Sequence, residues 1–100
     1  MDISIGKINL TGNIVLAPMS GVTDLPYRRL AKKHGAALVV SEMIASRAMI
    51  YANKKTMKMA SNCAEEFPMA VQLAGCEPRL MAEAARLNSD RGAAIIDINM

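Results

Sequence analysis

Four short apolar runs, beginning near residues 13, 37, 69 and 94, alternate with stretches of helical composition. Strand, helix and strand in repeated order imply parallel strands joined by right-handed crossovers, because each connection must return the chain to the same end of the sheet. The runs are continuously apolar, as expected of strands covered on both faces. Two architectures satisfy this pattern: an open doubly wound sheet, or part of a (β/α)8 barrel. An open nucleotide-binding sheet carries a glycine-rich phosphate turn after its first strand, and neither G-x-G-x-x-G nor G-x-x-x-x-G-K occurs. The fold class read from the chain is therefore α/β, the N-terminal half of a (β/α)8 TIM barrel preceded by a small β-hairpin. A whole barrel takes about 250 residues. Residues 1–100 are accordingly expected to be an incomplete barrel domain, a fragment whose last strand would leave an unpaired edge.

The hairpin lies in Ile3 to Leu10, two alternating segments about Gly6-Lys7. The first sheet strand spans about Asn13 to Ala17, and Pro18, which cannot donate a ladder bond, stops it. Gly21 allows a sharp turn, and Thr23 or Asp24 caps a helix from about Asp24 to His34 with Pro26 in its first turn. Gly35 is placed to end that helix in a left-handed cap. Leu38 to Met43 reads as the second strand, Arg47 to about Met59 as helical, and Ser61 to Phe67 as a polar loop. The third strand is Met69 to Leu73. A helix follows from Pro78 with Leu80, Ala84 and Leu87 as its apolar stripe, and Gly92 closes it before the fourth strand, Ala94 to Asn99.

No apolar run approaches the roughly 18 residues that span a membrane. The N-terminus, Met1-Asp2-Ile3-Ser4, lacks the basic and apolar regions of a secretory signal and is not Arg-rich like a transit peptide. A cytoplasmic location is expected. Cys63 and Cys76 have no His or second Cys pair at metal-ligand spacing, so both are read as free thiols and no metal is expected. The net charge of +3 allows a nucleic acid partner without requiring one.

Parallel α/β sheets and barrels place their ligand sites at the carboxyl ends of the strands. Each of the four strands ends there in polar or irregular residues: Pro18-Met19-Ser20, Ser41-Glu42, Gln72, and Asp97 with Asn99. Because side chains alternate, Ile95, Asp97 and Asn99 share one face and Ile96 and Ile98 the other, and the purely apolar face should meet the helices. The same parity pairs Gln72 with Ala70, opposite Val71 and Leu73. Amides, a carboxylate and backbone N–H groups at one rim suit a flat, polar ligand. Taken singly, each is equally readable as a satisfied polar group at a strand end. Their convergence from several strands favours a site.

The segments Ala17-Pro18-Met19-Ser20-Gly21-Val22-Thr23-Asp24-Leu25-Pro26-Tyr27-Arg28, Ser41-Glu42-Met43, Val71-Gln72-Leu73-Ala74-Gly75 and Ile96-Asp97-Ile98-Asn99-Met100 occur in this order. Together they closely resemble the tRNA-dihydrouridine synthases, particularly the bacterial branch. The resemblance implies an FMN-dependent reductase on a TIM barrel, with a helical C-terminal domain and tRNA as partner and substrate. It also implies NADPH as reductant, hydride delivery from the reduced flavin to C6 of a uracil, and protonation of C5 by a cysteine. Matched motif to motif, Pro18, Met19, Ser20 and Gln72 would bind the cofactor and Asn99 would face the uracil. In the family, Asn-Met is followed by Gly-Cys-Pro, whose cysteine is the general acid; neither Cys63 nor Cys76 matches it, so no catalytic residue is assigned within the chain. The isolated chain is expected to be inactive and to hold flavin weakly at best.

Other features have plainer readings. His34 beside Gly35 suits the negative end of a helix dipole. The methionines, among them Met43, Met49, Met57, Met59 and Met81, are read as filling irregular core space. Arg47, Lys54, Lys55 and Lys58 are read as a solvated helix face before a phosphate contact. Glu42 and Asp97 could tune a flavin pocket or brace its loops. Two alternatives remain open: another FMN barrel oxidoreductase acting on a small molecule, and a half-barrel that pairs with itself as a binding module without flavin.

Overall fold

In the computed structural model, which describes residues 3–51 and 66–100, the chain opens with the hairpin of β1 (Ile3–Ile5) and β2 (Ile8–Leu10). Ile3 pairs with Leu10 and Ile5 with Ile8. Gly6 takes φ +58° in the turn, and Ser4 donates to Asn9 Oδ1 across the ladder at 2.7 Å.

β3 (Val15–Leu16), β4 (Leu38–Val40), β5 (Ile44–Ala45), β6 (Met69–Ala74) and β7 (Ile95–Asn99) form one sheet in which every pairing is parallel. β6 pairs with β7 through residues 70–74, so β4 and β5 share its other edge. β4 and β5 act as a single interrupted strand, and the strand order across the sheet follows the order along the chain.

The interruption has a local cause. Val40 is level with Ala70, but Ile44 is level with Leu73, so four steps on one strand oppose three on the other. One residue is extra, which is the definition of a bulge. Ser41 repairs the ladder there: its N–H donates to Ala70 O at 2.9 Å, and its Oγ accepts from the Gln72 N–H at 3.1 Å and donates to Glu42 O at 2.9 Å. The expected strand Leu38 to Met43 is therefore broken after Val40.

α1 (Leu25–Lys33) begins at Asp24, whose carboxylate accepts from the Tyr27 N–H at 3.0 Å. Thr23 serves the preceding turn instead. At its other end Gly35, at φ +103°, donates to Lys32 O and Ala36 donates to Ala31 O, the paired bonds of a Schellman cap. α2 (Ser46–Ile50) is a single short turn followed by Tyr51. α3 (Pro78–Asp90) ends in the same cap as α1: Gly92, at φ +100°, donates to Ser89 O and Ala93 donates to Asn88 O.

Side-chain alternation then divides the sheet into two faces. Val39, Met69, Val71, Leu73 and Ile44 pack against the helices with Met49 and Ala84. Leu38, Val40 and Ala70 form a second cluster on the opposite face, where Leu10 and Ile8 of the hairpin and Ile95 join them. Full burial of one such side chain contributes roughly 1.5–3 kcal/mol, so the hairpin is integral to that face.

Several expectations change in detail. The first sheet strand is only Val15–Leu16, with Ile14 exposed, and it pairs with Leu38 and Val39 alone of β4. β6 runs on to Ala74. Ile96 joins the helix-side core as expected, but Ile98 is 52% exposed because none of the described residues covers that end of β7. Met43 lies on the surface rather than in the core, since it falls in the interruption between β4 and β5; Met49 and Met69 are buried. The expected helix from Arg47 to Met59 is seen only as α2, and Met57, Met59, Lys54, Lys55, Lys58 and Cys63 lie outside the described residues.

A Cβ at the Gly92 φ is strained whatever space surrounds it. Gly92→Ala is expected to destabilise the fold by about 1–2 kcal/mol, read as a lower urea midpoint with an unchanged m-value.

Candidate functional site

The rim at the carboxyl ends of the strands is built around the loop from Pro18 to Thr23. Thr23 is fully buried beneath it. Its Oγ accepts from the Met19 N–H at 3.1 Å and donates to Met19 O at 3.2 Å. The N–H groups of Val22 and Thr23 also donate to Met19 O, each at 3.0 Å. Gly21, at φ +76°, can turn there without a Cβ, and its N–H donates to Glu42 Oε1. The buried Glu42 therefore braces the loop from the neighbouring strand, the second of the two roles left open for it.

A second brace was not assigned from the sequence. Arg28, in the first turns of α1, has no exposed surface. Its Nη1 donates to Thr23 O at 2.8 Å, while Nε and Nη2 donate to Glu66 Oε1 and Oε2 at 2.8 and 3.2 Å. The available signal was an arginine on the same 3.6-residue stripe as Leu25 and Ala31, a position that demands a buried acceptor. One turn along α1, burial holds the Lys32 ammonium below its ordinary pKa, with the Glu66 charge opposing that shift.

On the sheet, Gln72 is level with Asp97 and Ala74 with Asn99. Gln72 Nε2 donates to Asp97 Oδ2 at 2.7 Å. These residues continue the face formed by Ala70 and Ile95, so the apolar cluster above the hairpin gives way to polar groups toward the carboxyl end. Gln72 is half-buried, and Asp97 and Asn99 are exposed. Pro18 is half-buried, and Met19 and Ser20 are exposed on the braced loop. Among the described residues the structure joins Gln72 to Asp97 and the loop to Glu42. It makes no hydrogen bond between Pro18–Ser20 and Gln72 or Asn99, which share only the same end of the sheet.

Beside this rim, a cleft of about 100 Å³ lies between α2 and the start of α3. Gly75 lines it because the Ser46 hydroxyl occupies the place of a Cβ. Arg47 and Glu77 pair across it at 2.9 Å, and Arg47 sits over the Tyr51 ring. Arg47 thus has an intramolecular partner on a solvated face. Cys76, in the same cleft, is a free, exposed thiol.

The fold and this rim define the class: an α/β protein of the kind that gathers its ligand-binding groups at the carboxyl ends of parallel strands. Residues 15–100 match the model of the dihydrouridine synthase (Dus) family, and the chain belongs to that family. It is 59% identical over 98 residues to a probable tRNA-dihydrouridine synthase of Rickettsia bellii, a match covering 97% of this chain and 30% of that protein. It is 47% identical over 96 residues to tRNA-dihydrouridine synthase B of Xanthomonas axonopodis pv. citri, covering 96% of this chain and 29% of the relative. The corresponding protein of Pseudomonas aeruginosa is 44% identical over 98 residues, covering 98% of this chain and 30% of its own length. The chain thus spans about a third of the length of the curated relatives it matches.

The bulge gives a test of how the rim is built. Ser41→Ala removes the acceptor of the Gln72 N–H at a buried position, and is expected to cost about 1–3 kcal/mol in denaturant unfolding.

Proposed function

We propose that the chain is the N-terminal part of the FMN-binding (β/α)8 barrel domain of a tRNA-dihydrouridine synthase. The rest of the barrel, including the general-acid cysteine, and a helical C-terminal domain would be supplied by further chain. Strand order that follows chain order, without the reversal of a doubly wound sheet, supports the barrel. The observation that carries the functional reading is the juxtaposition of Gln72 and Asn99 on one face of β6 and β7, at the end of the sheet where the braced Pro18–Thr23 loop also lies.

The residues present fit a flavin. With Gln72 Nε2 donating to Asp97, the amide is oriented and its Oε1 has no partner among the described residues, leaving an acceptor for a ring N–H. Asp97 is then an orienting group for Gln72. The backbone N–H and carbonyl of Met19 are already engaged by the turn, so Met19 would offer its side chain, while Pro18 and Ser20 would complete the wall. Asn99 lies one step beyond Asp97 on the same face, and among the described residues its amide donors and acceptor are open to the uracil edge. A flavin held here would supply hydride chemistry, with NADPH as its reductant, toward C6 of a uracil offered to Asn99, and C5 would take a proton from the general acid outside residues 1–100. The target base must leave its stack to reach this rim, which favours a loop nucleotide of the tRNA. A cytoplasmic enzyme is the reading that suits this substrate. Among the described residues no helix is long and apolar enough to cross a membrane.

The test uses the complete gene product, purified and incubated with unmodified tRNA and NADPH. A yellow protein that forms dihydrouridine is expected. Asn99→Ala is expected to lower kcat/KM for tRNA about ten- to a hundredfold, and Gln72→Ala to lower flavin retention. A colourless protein that leaves tRNA unchanged contradicts the reading. Flavin with reduction of a small molecule instead favours a different FMN barrel oxidoreductase.

A further inference from the structure

We propose that Arg28 and Glu66 are a positioning pair for the cofactor loop: their buried contact holds Pro18–Thr23 in the shape that binds flavin. The inference rests on the flavin reading above. A buried ion pair is weak evidence for a purely stabilising role, because well-packed apolar residues often serve the fold as well or better. What distinguishes this pair is the third arm of the guanidinium. Nε and Nη2 occupy both oxygens of Glu66, and Nη1 is left for Thr23 O. Thr23 in turn clasps both the N–H and the carbonyl of Met19. A continuous path of hydrogen bonds therefore runs from Glu66, three residues before β6, to the centre of the loop after β3.

The fork geometry makes the arginine specific. A lysine at 28 keeps the charge and can reach Glu66, but its single ammonium cannot also present the planar arm to Thr23 O. The charge balance is equally particular. Glu66 faces Arg28 and, less closely, Lys32, while Glu42 holds the far side of the loop at Gly21. Loss of Arg28 leaves one of the two braces, so the loop can still form but is free to shift at Met19 and Ser20.

The experiment measures FMN dissociation constants and bound-flavin absorption spectra for the complete protein. Wild type is compared with Arg28→Lys, Glu66→Gln and Gly92→Ala, with the melting temperature of each apo-protein recorded alongside. Gly92→Ala serves as a destabilised control whose strain lies at the end of α3, away from the loop. Arg28→Lys is expected to weaken FMN about tenfold or more and to shift the flavin spectrum. Glu66→Gln, which keeps an acceptor but not the charge, should do so less. Gly92→Ala should bind within about twofold of wild type despite a lowered melting temperature. If Arg28→Lys does not fold, Glu66→Gln carries the comparison. Wild-type affinity and spectrum in both pair variants, or losses that merely track melting temperature as in Gly92→Ala, overturn the positioning role. A wild-type protein that takes up no flavin overturns the flavin reading and this proposal with it.

Discussion

The structure depends on β6 being hydrogen-bonded along both edges. β4 and β5 pair with it on one side and β7 on the other, in a register that leaves little freedom for any of them. Because side chains alternate, that register sends Met69, Val71 and Leu73 into a fully buried helix-side core and Ala70, Gln72 and Ala74 to the opposite face. A slip of one residue would drive Gln72 into the apolar layer and expose Val71. The placement of the polar rim is thus a consequence of packing on the other side of the sheet.

The loop after β3 adds a second constraint of a different kind. β3 has only two residues in the sheet, so the ladder itself does little to hold the loop in place. The conformation of Pro18–Thr23 is set instead by side chains: Thr23 within the loop closes on Met19, and from outside it Glu42 holds the Gly21 N–H and Arg28, paired with Glu66, holds Thr23 O. Each of these polar groups is buried and satisfied, and the loop they hold carries exposed Met19 and Ser20 in a defined arrangement.

Much of this was legible in the sequence, and the parts that were not share a cause. The parallel order of strands, the cap glycines 35 and 92, the hairpin turn at Gly6, and the parity that sets Gln72 with Ala70 and Asp97 with Asn99 away from the apolar faces come from period, turn chemistry and alternation, all of which are local; the level pairing of Gln72 with Asp97 came from the register of β6 and β7. The bulge at Ser41 was hidden because Leu38 to Met43 reads as one strand with a polar end, and only the mismatch with β6 reveals an extra residue. The Arg28–Glu66 pair was hidden because its members are 38 residues apart and a charged side chain on an inward stripe reads as a surface position until its acceptor is seen. Leu30 makes the same point in reverse, being 54% exposed on the helix that buries Arg28. The family likeness of the motifs was readable without the fold, but the division of labour between Glu42, which braces, and Asp97, which orients Gln72, needed the hydrogen bonds.

The most direct measurement is a crystal structure of the complete protein grown with FMN. The isoalloxazine ring is expected at the carboxyl ends of β3, β6 and β7, with the Gln72 amide within about 3.2 Å of a polar atom of the ring and Asn99 facing the open side above it. A flavin bound elsewhere in the protein, with Gln72 still paired only to Asp97 and the Pro18–Thr23 loop untouched, would contradict the assignment of this rim as the cofactor site.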